Sequence, residues 1–403
     1  MILKNNGRIP ITILTTHGPM TFKRTRLIPA DSESQKLLKA EGINSVFPMD
    51  FALGIDKYPF KMTYKLMAEV ARYGVMCRSY EDAAAHFEEV HHFKVSKSQI
   101  EEVTNFTGKM AFEYQCKEAE IANLCLETDK RDNRRRRHRD DDWLFIEFNG
   151  AMVHVRDKDK DEKKGNKGTA GWTECKNAIA FHSSAVTVYT DETGVIGHKI
   201  GARDAIGYIG SADEFRKHLY ALGKRNDCDL CTKVIVITDG AEWIGKTVDS
   251  LFPYAVHILD KFHAKENAGK FATNVIKGSN SEKKAFADKL CDLIDAENVD
   301  GLLEALKPYK DEKIDGVVNM YTYVSNHRKC MNYTEYEKQG YFVGSGAIES
   351  ANIYLMQDRM KLPGMRWSTE RAQYMLTLKT YYETARWYEI IGMLRTHIYA
   401  KAS

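Results

Sequence analysis

The chain has 403 residues, with 59 Lys and Arg against 56 Asp and Glu, a net charge of +3, and hydrophobic and charged fractions of 43% and 29%. That balance excludes a disordered polymer and an integral membrane protein, since no run approaches the roughly 18 apolar residues of a membrane span. Eight cysteines over this length argue against a disulfide framework, and the opening MILKNNGRIPITILTTHG lacks a basic-then-apolar leader pattern, so the cytoplasm is the expected compartment.

Residues 1–60 form a first region, in which 8–28 read as a β-hairpin. RIPITIL and MTFKRTRLI alternate or run apolar, and THGP between them is a turn signal. Residues 61–128 turn helical. Ser79-Tyr-Glu-Asp82 and Ser96-Lys-Ser-Gln99 both have capping spacing at a helix start, and only His91–Val95 separates the two helices. That is the outline of a helix-turn-helix, whose second helix would offer Lys97, Ser98 and Gln99 to DNA; an ordinary helical hairpin has the same outline. Residues 129–142 form a charged linker. Lys130, Arg131, Arg134, Arg135, Arg136, Arg137 and Arg139 crowd around Asp132, and Asp140–Asp142 follow. Such a block is either a solvated connection or a strap for phosphates.

Residues 143–260 have a β/α rhythm. Trp143–Asn149 reads as a strand ending at Asn149-Gly150, with 151–156 continuing it or pairing back. A charged, Gly-rich excursion occupies 157–171. Cys175–Tyr189 is β-rich, Gly194–Ile200 reads as a further strand, and Ser211–Lys224 as a helix with Ala212, Phe215, Leu219 and Leu222 on one side. Lys233–Thr238 and Tyr254–Leu259 are uninterrupted apolar strands, as expected where both faces are covered. Residues 261–340 are helical. In 341–403 a helix opens near Gly346 and runs to Lys361, Pro363-Gly364 breaks it, and a last helical stretch begins near Ser368.

The two apolar strands end in carboxylates, Asp239 and Asp260. Ligands gather at the carboxyl ends of strands in open α/β sheets, and Mg²⁺ favours hard oxygen ligands of this kind. Asp239 at a strand–Asp–Gly–helix junction also suits a helix cap. Gly344-Ser-Gly-Ala-Ile-Glu349 puts a third carboxylate at the start of a helix, where it is either a metal ligand or a dipole partner. At 100° per residue Glu349 and Arg359 share one broad side of that helix. Asp260 and His263, three residues apart, form either an accessory acid–base or DNA-contact pair, or a cap and a surface histidine. Cys228-Asp-Leu-Cys231 lacks the second pair that a structural zinc requires.

Four blocks, in order, resemble bacterial insertion-sequence transposases with a ribonuclease H-like, DDE-type catalytic core: Asp239-Gly-Ala-Glu-Trp243-Ile, Leu259-Asp260-Lys-Phe-His263-Ala, Gly344-Ser-Gly-Ala-Ile-Glu349-Ser, and Arg359-Met-Lys-Leu-Pro-Gly-Met-Arg366-Trp367-Ser. The GSGAIES and MRWS blocks are specific, and the likeness covers roughly residues 1–390. It implies a mixed α/β fold: an N-terminal hairpin and helical DNA-binding region, then a ribonuclease H-like core interrupted by a helical insertion. Many relatives carry a zinc knuckle in the N-terminal part, but no Cys precedes Cys77 here. The resemblance implies Mg²⁺ or Mn²⁺ held by three carboxylates, with Asp239 second and Glu349 third. Where relatives read Asp-Gly for the first, this chain has Asn149-Gly150; an amide brings no anionic charge, and Glu147 lies two residues back on the same strand face. The implied reaction is attack of water on a phosphodiester, followed by attack of the freed 3′-hydroxyl on target DNA. The implied partners are duplex DNA, at element ends and target, and further copies of the chain on that DNA, at the bacterial nucleoid. Lys97, Gln99, Arg134, Arg135, Arg136, Arg137, Arg359 and Arg366 are the candidate DNA contacts. An inactive, repurposed DNA-binding descendant is the alternative that Asn149 raises.

Overall fold

The computed structural model describes residues 1–55, 58–126, 139–156, 170–190, 192, 194 and 196–400. The basic tract Arg134–Arg137 and most of the 157–171 segment lie outside the described residues. The chain is mixed α/β and divides into two compact units. One comprises Met1–Tyr114, Arg156–Thr169 and Leu355–Ser403, and the other Gln115–Val155 and Ala170–Tyr354. The six consecutive segments read from the sequence therefore regroup: the C-terminal helices belong with the N-terminal region, while Glu349 stays with the sheet. Among the described residues, no helix is long and apolar enough to cross a membrane.

The first unit opens with the expected hairpin, β1 (Leu3–Thr15) and β2 (Gly18–Pro29), in antiparallel register Ile9↔Arg24, Ile11↔Phe22 and Ile13↔Met20. Helices α1 (Ser32–Ala40) and α2 (Pro48–Leu53) follow, then α3 (Tyr64–Met76), α4 (Tyr80–His91) and the 28-residue α5 (Lys97–Leu124), whose last residues belong to the second unit. Local chemistry sets the helix starts. Ser79 Oγ accepts from Asp82 N at 3.0 Å, Ser96 Oγ from Gln99 N at 3.2 Å, and Gln99 Oε1 from Ser96 N at 3.0 Å. His92 ends α4 in the left-handed region at φ +58°. The two-helix outline is thus present. Gly74 of α3 is required by packing, because a Cβ there would lie 2.2 Å from Thr104 Oγ1 of α5.

The second unit is built on a sheet of order β7-β4-β3-β8-β9, with β3 (Arg139–Arg156), β4 (Ala170–His182), β7 (Asp204–Ile209), β8 (Cys231–Thr238) and β9 (Val256–Leu259). β3, β8 and β9 run parallel, and β7 runs antiparallel to β4. β5 (Val186–Thr190) and β6 (Ile196–Ile200) form a separate hairpin. Of the two alternatives for 151–156, continuation holds: β3 runs past Asn149-Gly150 through Arg156. β7 is not evident from the sequence, because Asp and Gly are weak strand formers. Its Asp204 is accommodated at the edge of the sheet by Arg225 Nε at 2.5 Å.

Alternation along β3 decides the two sides of the sheet. Leu144, Ile146 and Phe148 join one buried cluster with Phe215 and Leu219 of α6 (Ala212–Arg225) and with Ile244 and Val248 of α7 (Glu242–Leu251). Phe145 faces the other way, stacked on Phe181 at 5.3 Å and packed on Phe342 at 4.9 Å. After β9 the chain forms α8 (Lys261–Val275), α9 (Asn280–Asp295), α10 (Val299–Leu306), α11 (Met320–His327) and α12 (Tyr333–Lys338), the helical stretch expected at 261–340. α13 (Gly346–Asn352) follows in this unit, whereas α14 (Thr369–Glu383) and α15 (Trp387–Ala400) complete the first.

His257 of β9 bonds Thr238 Oγ1 of β8 at 2.8 Å, and burial pushes its pKa down to about 4. The unfolded chain therefore takes up this proton near pH 6.5 while the folded chain does not. Stability is unaffected above pH 6.5 and falls as pH drops from there towards 4, by about 1 kcal/mol per pH unit for this histidine. His257→Gln should flatten that part of the stability curve in urea melts at several pH values; an unchanged slope would show that His257 is protonated in the fold.

Candidate functional site

Three adjacent parallel strands deliver carboxyl groups to one end of the second unit's sheet. In register Glu147 lies opposite Ile237, Phe148 opposite Thr238, and Thr238 opposite Leu259, so Asp239 and Asp260 leave their strands one residue beyond that row. The Asp260 N–H donates to Thr238 O at 2.8 Å. Asp239 Oδ1 accepts from Ala241 N at 3.0 Å across Gly240, and the Tyr323 hydroxyl donates to Asp239 O at 2.7 Å. Gly240 has φ +77°, and a Cβ there would meet Leu259 Cδ1 at 2.6 Å and Tyr323 Cε2 at 2.7 Å, so only glycine fits this bend.

Asp260 is a buried junction, 1% exposed. Its Oδ1 accepts from His263 N at 2.9 Å, which caps α8. Its Oδ2 accepts from Ser345 N at 2.6 Å and from the Ser345 hydroxyl. Lys261 N donates to Val343 O at 2.9 Å. These bonds seat the Gly344-Ser345-Gly346 approach on the end of β9, and α13 then carries Glu349 to His263. The His263 Nδ1 lies 3.3 Å from Asp260 Oδ2 and 3.5 Å from Glu349 Oε1. Ligand atoms of Asp260, His263 and Glu349 all lie within 4.8 Å of one another. From the opposite side, Glu147 Oε2 accepts from Ile348 N at 2.8 Å. Glu147, Asp260 and Glu349 line a cavity of about 1060 Å³ that is also lined by His198, Lys199 and Arg203.

The electrostatics follow from crowding like charges in a dry place. Burial pushes the Glu147 carboxyl up to about 8; the Ile348 N–H opposes this, and the Asp260 and Glu349 charges add to it. Burial also raises Asp239, against the Ala241 N–H. For Asp260 burial acts upward too, but the hydrogen bonds from His263 and Ser345 outweigh it and hold the group down at about 2. Asp260 beside it raises His263. Among the described residues, neither Glu147, Asp239 nor Glu349 has a Lys or Arg within ion-pair distance. An oxygen-rich donor set with no Lys or Arg paired to Glu147, Asp239 or Glu349 fits a hard divalent ion such as Mg²⁺ or Mn²⁺.

The other expected residues fall as follows. Asn149 is half-buried on β3 and does not line the cavity, whereas Glu147, the accessory candidate, does. Asp239 is linked to the cluster through its electrostatic contact with His263 and Asp260. Ile353–Gln357 form a π turn, so the uniform 100° spacing used to put Glu349 and Arg359 on one helix side does not hold along this segment. Arg359 is not a solvated surface side chain; it is 2% exposed. Gln99 spends its carbonyl oxygen on the Ser96 cap. Lys97, Arg359 and Arg366 line one cavity of the first unit. The sequence reading missed Ser345 as the anchor of Asp260, although its place inside the Gly-rich approach was a signal. Glu174, in a Trp172–Lys176 block that also resembles the transposases and whose expected role is only to place the second strand, acts on Asp239 and accepts from Lys176 Nζ at 2.6 Å.

Because Glu147 is neutral in the fold up to about pH 8 but ionises near 4.5 when unfolded, the folded state holds the extra proton in between. Stability conferred by that proton is complete below pH 4.5 and is lost as pH rises towards 8, by about 1 kcal/mol per unit. In chelator, Glu147→Gln should therefore gain melting temperature over the unchanged protein progressively from pH 5 to 8. A constant difference across that range would mean that Glu147 is already ionised in the fold.

No curated protein matches the chain. Residues 4–387 match a protein family described as uncharacterised, UPF0236, and over that span the chain belongs to it.

Proposed function

We propose that the chain is an insertion-sequence transposase, which binds duplex DNA at element ends and at a target and cleaves and joins strands with Mg²⁺ or Mn²⁺. The observation that carries this reading is the meeting of Glu147, Asp260 and Glu349, with Asp239 in electrostatic reach, at the carboxyl ends of three parallel strands beside a cavity lined by Lys199 and Arg203. The reading takes the mixed sheet as a ribonuclease H-like core, α8–α12 as its helical insertion, and the hairpin with α4 and α5 as the DNA-binding part. It places the protein at the nucleoid as an oligomer on DNA.

Asp239, Glu349 and Glu147 are the proposed cation-holding carboxylates. Glu147 is preferred to Asn149 because its carboxyl group can give up a proton to a bound cation, which an amide cannot, and because it lines the cavity and is held by Ile348 N. Asp260 is a positioning residue, its oxygens occupied by His263 N and Ser345. His263 sits between Asp260 and Glu349 and fixes the Glu349 carboxylate. Lys199 and Arg203 give the cavity wall positive charge for a phosphodiester. When bound, the divalent ion supplies Lewis-acid charge to the phosphoryl oxygens.

Asn149 supports a second reading, an inactive descendant that only binds DNA. A cleavage assay on duplexes taken from the DNA flanking the coding region separates the two. The unchanged protein should cut with Mg²⁺ or Mn²⁺, and Glu147→Gln, Asp239→Asn and Glu349→Gln should each lose roughly 100-fold or more. Asn149→Ala should cost little. Cleavage that appears only in Asn149→Asp would establish the inactive descendant instead.

A further inference from the structure

In the first unit, a cavity of about 590 Å³ gathers side chains that the carboxylate site does not use. Lys97, Arg156, Arg359, Arg366 and Arg371 line it, against the carboxylates of Glu101 and Glu370. Glu101 is already ion-paired with Arg371, and Lys97 Nζ lies 3.6 Å from Glu81. Arg366 is exposed, at the lip of the cavity.

Arg359 is the unusual member. It is 2% exposed, and its guanidinium carbon lies 4.7 Å from the ring centre of Tyr80 and 5.2 Å from that of Trp367. Nε donates to Gly74 O at 3.1 Å, and Nη1 lies 3.5 Å from Met365 Sδ. Nη2 is buried with no hydrogen-bond partner among the described residues. Asp82 and Glu101 act on this guanidinium only at longer range. A buried guanidinium is ordinarily matched by a carboxylate, because removing it from water uncompensated is costly. Aromatic faces compensate in part, and they hold the planar group in one orientation. An oriented, under-satisfied guanidinium in the wall of a cation-lined cavity fits a tetrahedral oxyanion, which takes planar forked donors and tolerates several cations.

We propose that this cavity is a phosphate-binding site, with Arg359 as its fixed buried donor and Arg366 and Lys97 as outer contacts, and that the phosphate belongs to a DNA backbone. The identity of the source rests on the DNA-binding reading above; the phosphate site itself does not. Ser368 and Thr369 at the start of α14 also line the cavity and supply hydroxyl groups to the same ligand.

The test uses the full chain and a short labelled duplex titrated at several salt concentrations, beside melting curves with inorganic phosphate at constant ionic strength. Arg366→Ala and Lys97→Ala alter exposed side chains and leave the fold intact. Arg359→Lys keeps the charge but removes the fork, and Lys284→Ala on α9 controls for loss of any one charge. Duplex affinity should fall several-fold in Arg366→Ala and Lys97→Ala, and the slope of log affinity against log salt should drop by about one unit in each. Lys284→Ala should change neither, and phosphate should raise the melting temperature of the unchanged protein more than that of Arg359→Lys. If phosphate stabilises in this way but duplex binding is untouched, the site stands and its ligand is a small phosphate, not DNA. If all variants match the unchanged protein in both measurements, the phosphate site is overturned, whatever the cleavage assay shows.

Discussion

The second unit's candidate site depends on the buried carboxylate of Asp260. One group caps α8 through His263 N and seats Ser345, 85 residues away, through both its N–H and its hydroxyl. Losing a partner from a buried charged network of this kind typically costs about 3–5 kcal/mol. The bonds also set position: with Ser345 docked, Ile348 N reaches Glu147 across 201 residues of sequence, and Glu349 reaches His263. Strand β3, strand β9 and helix α13 are thereby brought to one point.

That arrangement concentrates carboxyl groups where water is scarce. Glu147 and Asp239 are both pushed upward by burial, while Asp260, rich in donors, is held down. Neighbouring carboxyl groups whose environments push them in opposite directions are commonest at sites that bind cations or move protons. His263 is the one imidazole inside the cluster, and Asp260, Glu349 and Asp239 around it favour its charged form.

The first unit shows the reverse problem. There a guanidinium is buried against aromatic rings and a backbone carbonyl, without a carboxylate at ion-pair distance among the described residues. The first unit therefore holds a buried charge that its own side chains match incompletely, whereas the second crowds carboxyl groups, two of which burial pushes towards their neutral form.

Much of the architecture could be read directly from the residues. The hairpin, the capped starts of α4 and α5, the apolar strands β8 and β9, and the carboxylates at their ends are local patterns, in which period-2 or period-3.6 alternation and short-range hydrogen bonds decide the outcome. The position of Glu147 on the same strand face as Asn149 was legible for the same reason. Which of the two meets α13 was not, because alternation assigns residues to a face without saying what covers it. The edge strand β7 escaped notice because its stability comes from pairing with β4 and from Arg225 bonding Asp204, both remote in sequence. The burial of Arg359 escaped notice because the π turn at Ile353–Gln357 breaks the helical phase, and because its aromatic partner Tyr80 lies far along the chain. The sequence by itself determined which carboxyl groups stand at strand ends and at a helix start; tertiary packing alone decided which of them meet, since contacts across 85 and 201 residues leave no local pattern.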